Sequence, residues 1–504
     1  MSNENNKRIA KNTMFLYFRM ILVLFVSIYT TRVVLNALGV VDYGINNVVA
    51  GFVSMFTFLN TSMANGIQRF YNFTLGKKTE GNIRSVYNTA FQIQAALAII
   101  IFILLETVGL WYMYKEMQIP AERINTALWV FQFAVASTIL LIMQAPYASA
   151  IMAYERMNYY AYVGIFDVLL KLLIAYMLTK SNSDRLLLYG FLHLITSLIH
   201  FLMYYVYAKT QFKDLKFEFA LHKELFKPML SFSGWNIFGS FAYMLKGQGL
   251  NLLLNSFFGV VINSARGVSN MIMSALQGFQ SNVIIAFRPQ IIKSYAAGNF
   301  QYVKTLFYSL SKISFLMLTI LSAPIILELD YILKIWLGNT IPEYTKSFTV
   351  LILFNMVISS LTTPLSQIVH ATGKMKTYQM CTSIILCSIV PISWVFLKFG
   401  CDPNSVYYTS LGITILNQII CNIIVKKNFP YSIKEYIKKV IIPCTAFIIT
   451  VLAIPYVITC SMEESVIRLA LTSIAVIFTA ILVAYFMVLD KDEQKLLRKF
   501  VKKE

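Results

Sequence analysis

The chain has 504 residues, of which 58% are hydrophobic and only 13% charged, with a mean hydropathy of +0.65 and a formal net charge of +20. An average soluble domain carries about 25% charged residues, so this composition excludes a soluble fold. The positive balance alone would admit nucleic acid as a partner, but Lys and Arg gather in alternate segments between apolar runs, which is the pattern of membrane topology and of contact with anionic lipid heads.

The first apolar run, Met14 to Tyr29, follows a short basic head of Lys7, Arg8 and Lys11. No small-residue cleavage site follows it and further spans do, so it reads as a retained first helix. With about 20 apolar residues per span, helices are expected near 12–37, 43–65, 85–113, 124–147, 160–179 and 186–208. A second set is expected near 231–256, 260–286, 305–328, 347–368, 379–398 and 406–425, and two more near 437–459 and 466–488, fourteen in all. Placing the N-terminus inside puts about 29 basic residues on the inner side and about 8 outside. Both termini are then cytoplasmic.

The chain repeats itself. LNALGVVDYGINN from Leu35 is echoed by LNSFFGVVINSARG from Leu254, so that Asn36 aligns with Asn255, and at the same offset Arg69 aligns with Arg288. EGNIRSVYNTAF around Gly81 is echoed by AGNFQYVKTLFYSL around Gly298. A repeat of six helices is even and therefore parallel in orientation, as in transporter halves related by an axis along the membrane normal. The expected organisation is an N-lobe over 1–208, an interlobe loop over 209–230, a C-lobe over 231–425, and two further helices with a basic tail over 426–504.

This layout resembles the multidrug/oligosaccharidyl-lipid/polysaccharide (MOP) exporter superfamily, and within it the O-antigen or polysaccharide flippases of Wzx type. The stretches that carry the resemblance are KNTMFLYFRM, RVVLNALGVVDYGINNVV, the basic loop after Arg69, and RPQIIKSYAAGN. The resemblance implies an all-α integral membrane fold of fourteen transmembrane helices, with two six-helix lobes in a MATE-like V around a central cavity and two C-terminal helices. It also implies a cargo of undecaprenyl-diphosphate-linked oligosaccharide, carried from the cytoplasmic to the periplasmic leaflet of a bacterial inner membrane by alternating access. Implied partners are that lipid-linked oligosaccharide, membrane lipids, and the polysaccharide polymerase and chain-length machinery.

Charge within a span costs about 2.5–3.5 kcal/mol at a helix centre, so each such residue is a functional candidate. The candidate cations are Arg19, Arg32, Lys171, Lys246, Arg266 and Lys312, and the clear candidate anions are only Glu106 and Asp167. A diphosphate needs compensating cations in a low-dielectric cavity, and Arg pairs with phosphate bidentately. A drug antiporter handling cations needs the opposite, a buried carboxylate. Lys246, near the middle of helix seven, is the leading substrate-binding residue, followed by Arg266 and Arg32, which have snorkelling to the headgroups as their alternative. Arg19 and Lys312 are expected to snorkel. Asp167 and Lys171, spaced i, i+4, read as a structural pair with proton coupling as the alternative.

Helix eight carries Asn263, Arg266, Asn270, Ser274, Gln277 and Ser281 on one face, and helix seven a stripe of Asn236, Ser240, Gly247, Asn251 and Asn255. Asn255, Asn270 and Gln277 are candidates for sugar hydroxyls, the alternative being hydrogen bonds between helices. Arg69 and Arg288 are candidates for a cytoplasmic basic rim. The ATGKMK stretch lacks phosphate-loop spacing, the four histidines are scattered, and the six cysteines show no CxxC. No enzyme, metal site, cofactor or nucleic-acid partner is therefore expected. The competing readings are a cation-coupled multidrug or small-molecule antiporter of the same fold and, further off, a membrane glycosyltransferase or polymerase.

Overall fold

A computed structural model describes residues 2–54, 56–77, 82–115, 119–218, 222–338, 341–490 and 493–494. All regular structure among these residues is helical. The helices are α1 (Ser2–Ser54), α2 (Thr57–Gly76), α3 (Ile83–Lys115), α4 (Ala121–Ala153), α5 (Met157–Lys180), α6 (Arg185–Gln211) and α7 (Lys223–Ala296). Then come α8 (Phe300–Leu327), the short α9 (Leu329–Leu337), α10 (Thr345–Thr372), α11 (Met375–Lys398), α12 (Ser405–Asn428), α13 (Ile433–Ser461) and α14 (Val466–Val488). Ten of them are long and apolar enough to cross a membrane among the described residues. They match the expected spans with ends extended by up to about two turns, because a helix backbone continues past the apolar window into its polar flanks.

The other expected spans lie in α1 with α2 and in α7. A straight helix of the 74 residues of α7 would run for about 110 Å, more than three times a bilayer core. It does not run straight: Arg266 donates to Asn251 and to the Gly247 carbonyl at 3.2 Å, pairs that a straight helix would hold more than 20 Å apart. The element is a hairpin that reverses between Leu254 and Ile262, two buried residues of one apolar cluster. In α1 the helix breaks at Gly39 (φ 77, ψ 169), a backbone region essentially reserved for glycine. Gly39 lies in the stretch whose echo spans the α7 reversal, so the break falls at the same place in both repeats.

The repeat extends further than the first sixty residues. Asn82 caps α3 by accepting from the Ser85 N–H, and Asn299 caps α8 by accepting from the Tyr302 N–H, at 3.1 and 3.2 Å. Pro146 corresponds to Pro364, and the buried Met157 opening α5 to the buried Met375 opening α11. Just before those methionines the chain turns through left-handed conformations at Glu155 (φ 60) and Gly373 (φ 78). After the sixth helix of each repeat the chain returns to the third: Glu218 pairs with Arg84, and Glu435, at the corresponding position, pairs with Lys304 at 2.6 Å.

By contacts the chain divides into two units, Met1–Ser240 with Tyr295–Ala297 and Phe241–Ser294 with Gly298–Glu504. The first is built on a cluster including Val34, Val49, Ile101, Phe131, Ile174 and Leu186. The second has a cluster of Leu250, Leu254, Ile262, Phe348, Ile389 and Tyr407. Large apolar side chains such as Ile467, Ile474, Phe478 and Ile481 on α14 are more than 60% exposed, the outward face that lipid tails cover.

An ionic clamp surrounds the break in α1. Arg123 donates to Asp42 and, at 2.7 Å, to Asp184, while Arg185 donates to the Ala37 carbonyl at 2.9 Å. Burial would raise the Asp184 carboxyl, but the Leu187 N–H, the Thr126 hydroxyl and Arg123 outweigh it and hold it below the usual carboxylate range. A depressed folded value contributes stability that is present above the unfolded carboxylate value, near 3.9, and is lost as pH falls through the folded one. Thermal unfolding in detergent should therefore show an acid-side loss that Asp184→Asn reduces. Gly39→Ala should cost about 1–3 kcal/mol in the same measurement. A Cβ there meets no atom within 4 Å, so that cost is backbone conformation alone.

Candidate functional site

Because α7 folds back, Gly247 and Asn251 of its first arm meet Arg266 on the second. Arg266 is 7% exposed. Its Nε donates to Asn251 Oδ1, Nη2 to the Gly247 carbonyl at 3.2 Å, and Nη1 to the Tyr407 hydroxyl on α12 at 3.3 Å. All three acceptors are neutral. Hydrogen bonds from a charged donor contribute about 1.5–3 kcal/mol each, enough together to offset the cost of the charge at a helix centre. Five N–H donors less three leaves two for another acceptor.

Lys246, next to Gly247 on the first arm, lies close enough to Arg266 for the charges to repel, and its Nζ is 6.0 Å from the Tyr243 ring centroid. Neither cation has a carboxylate within ion-pair distance among the described residues. Lys246 and Arg266 are thus two neighbouring cations in a setting of neutral hydrogen-bonding groups.

The remaining candidates are distributed differently. Asn270 is half-buried one turn beyond Arg266, and Gln277 is exposed two turns further on. The side chains of Arg32 and Asn255 lie outside the described set. Arg69 is buried in the first unit, with its guanidinium 4.9–5.3 Å from the ring centroids of Phe70, Phe73 and Phe232. Arg288, in the second unit, donates to Gln367 at 2.9 Å. Asp167 and Lys171 pair at 2.8 Å.

Several sequence expectations need correction. Lys312 does not snorkel: its side chain is 1% exposed and pairs with Asp490 and Glu493 at 2.9 Å each. Arg19 is held by protein too, stacked 4.6 Å over Tyr160 in space left by Gly164. Glu106 and Asp167 are half-buried, and the fully buried acids include Asp42 and Glu328, which the sequence did not single out. Asp42 and Glu328 are neutralised by Arg123 and Arg468. Sequence reasoning missed Tyr407, which sits in an apolar run with nothing to distinguish it from core.

The fold defines a multi-pass all-α membrane protein. No family model and no curated protein matches the chain. Solved structures do. An outward-facing multidrug resistance MATE family transporter of the MOP superfamily aligns with a TM-score of 0.69 at 12% identity, over 83% of this chain and 95% of that one. A eukaryotic MATE transporter aligns with a TM-score of 0.66 at 12% identity, over 87% and 100%. A MOP superfamily transporter from Pyrococcus furiosus, described as having a binding pocket of reverse polarity that suggests a different function, aligns with a TM-score of 0.64 at 12% identity, over 83% and 95%. The chain has the fold of the MATE transporters of the MOP superfamily.

Proposed function

We propose that this protein is a flippase of the MOP type that moves undecaprenyl-diphosphate-linked oligosaccharide, the repeat unit of an O-antigen or other surface polysaccharide, from the cytoplasmic to the periplasmic leaflet by alternating access. The observation that carries the reading is the pair Lys246 and Arg266: two neighbouring intramembrane cations with no carboxylate within ion-pair distance among the described residues, one of them with two N–H donors to spare. A diphosphate supplies the charge and the acceptors they lack. Asn270 on the same arm is within a turn of Arg266 and offers an amide to sugar hydroxyls.

Mass spectrometry of lipid that copurifies with the protein tests this. A polyprenyl-diphosphate oligosaccharide is expected in wild type and should be depleted in Arg266→Ala. A second reading, a cation-coupled antiporter of drugs or other small molecules, is favoured by the similar structures, which include a multidrug resistance MATE family transporter and a eukaryotic MATE transporter. Efflux of cationic dyes, together with no copurifying polyprenyl diphosphate, would replace the first reading with the second.

A further inference from the structure

A second intramembrane cluster of ionisable groups lies in the first unit, between α5 and α6. The two helices run antiparallel: Tyr159 stacks on Tyr207 at 3.6 Å near one end, and Asp167 meets His200 two turns along. Moving one turn up α5 therefore moves one turn back along α6, and His200, Asp167, Lys171 and His193 follow one another in a column across the membrane. Asp167 pairs with Lys171 at 2.8 Å through Oδ2, leaving Oδ1 toward His200. His200 Nε2 is buried 3.6 Å from that oxygen and has no hydrogen-bond partner. This is longer than a hydrogen bond, and a small approach on protonation would make it a charged one.

We propose that His200 and Asp167, with Lys171 as the resident counter-cation, form a proton-binding site within the bilayer. With His200 neutral, Asp167 and Lys171 cancel. A proton from water bonds to Nε2 of His200, the imidazolium donates it to Oδ1 of Asp167, and one carboxylate is shared between two cations, so the site gains one net positive charge. Charge inside the bilayer is costly, so the protonated and neutral forms favour different exposure of α5 and α6 to water. This gives a transporter a means of coupling its conformation to a proton gradient.

The neighbouring groups permit this balance. On α6, His193 packs edge-on against Tyr189 at 4.5 Å and lies near both Lys171 and Asp167, and Tyr204 lies near Asp167. From α1, Arg19 approaches Tyr204 and stacks on Tyr160, and Tyr43 approaches Tyr189. Along its apolar span Ile124–Ala153, α4 carries no acid, lysine, arginine or histidine, and Tyr147 is its one titratable side chain. Asp167 is thus the carboxylate facing His200, and Lys171 the nearest competing cation.

The chain has only four histidines, which makes the site directly readable. The full chain, labelled with 15N-histidine and held in lipid nanodiscs, is titrated by NMR, and His200 is assigned as the resonance lost in His200→Gln. In wild type it should titrate between pH 4 and 9. Asp167→Asn should lower its midpoint by about one pH unit or more, by removing the charge that favours imidazolium, and Lys171→Met should raise it, by removing the competitor. A general loosening would not move the two variants in opposite directions. The proposal is overturned by a His200 that stays neutral throughout, or by a midpoint that stands still or moves the same way in both variants. Where only one variant folds, the sign of its shift decides. The measurement needs no transported substrate, so its outcome is independent of the flippase reading.

Discussion

Lys246→Ala and Arg266→Ala should each abolish export of surface polysaccharide while leaving the protein at normal levels in the membrane. Losing a charge-assisted hydrogen bond to phosphate costs about 1.5–3 kcal/mol, a roughly 10- to 150-fold weakening per contact. Insertion should survive each change: among the described residues Lys246 has no ion-pair partner, and truncating Arg266 leaves only neutral groups of the α7 hairpin and α12, with no unpaired carboxylate. Arg266→Lys separates charge from geometry, because an ammonium keeps the charge but cannot span Asn251, Gly247 and Tyr407 while offering two further donors. It should retain a fraction of export, whereas Arg266→Gln should retain none. The measurements are surface polysaccharide in cells and lipid bound to the purified protein. Full export by the Lys246→Ala, Arg266→Ala double variant at normal protein levels would remove the cationic site from the mechanism.

What could be read in the amino acids divides by the range of the interactions. Spans were legible because hydropathy is a local sum, and the repeat because Asn36 and Arg69 keep their offsets to Asn255 and Arg288. The polar stripe of Gly247 and Asn251 was visible at helical spacing, but what it faces depends on a reversal ten residues later. Partner choice was not legible at all. Lys312 meets carboxylates nearly 180 residues away in a tail whose many lysines disguised its two useful acids. His200 looked solitary because Asp167 faces it from another helix. Counting intramembrane charges therefore overstated the cationic character of the whole and still pointed to Lys246 and Arg266, which have no carboxylate within ion-pair distance among the described residues.

The largest stability effect expected of any single side chain is at Glu328. It lies where α8 gives way to α9, 1% exposed, and Arg468 in the first turn of α14 reaches it with three contacts of 2.8–3.1 Å, while the Thr472 hydroxyl donates to it at 2.8 Å. Arg468 also donates to the Met462 carbonyl at 3.0 Å, so the pair fastens the α13–α14 turn to the end of α8. Arg468→Met leaves a buried carboxylate with one hydroxyl for company, and Glu328→Leu leaves a buried guanidinium. Each should cost about 3–5 kcal/mol. The double variant removes both charges together and should recover most of the loss, since a packed apolar pair is often as stable as a buried ionic one. A neutral contact sets the scale: Ser410→Ala, which removes an acceptor from Asn355, should cost only about 0.6 kcal/mol, as interhelical hydrogen bonds in membranes generally do. Thermal unfolding of the four variants in one detergent gives the comparison. Single variants no less stable than Ser410→Ala would mean that Glu328 is not held as a charge.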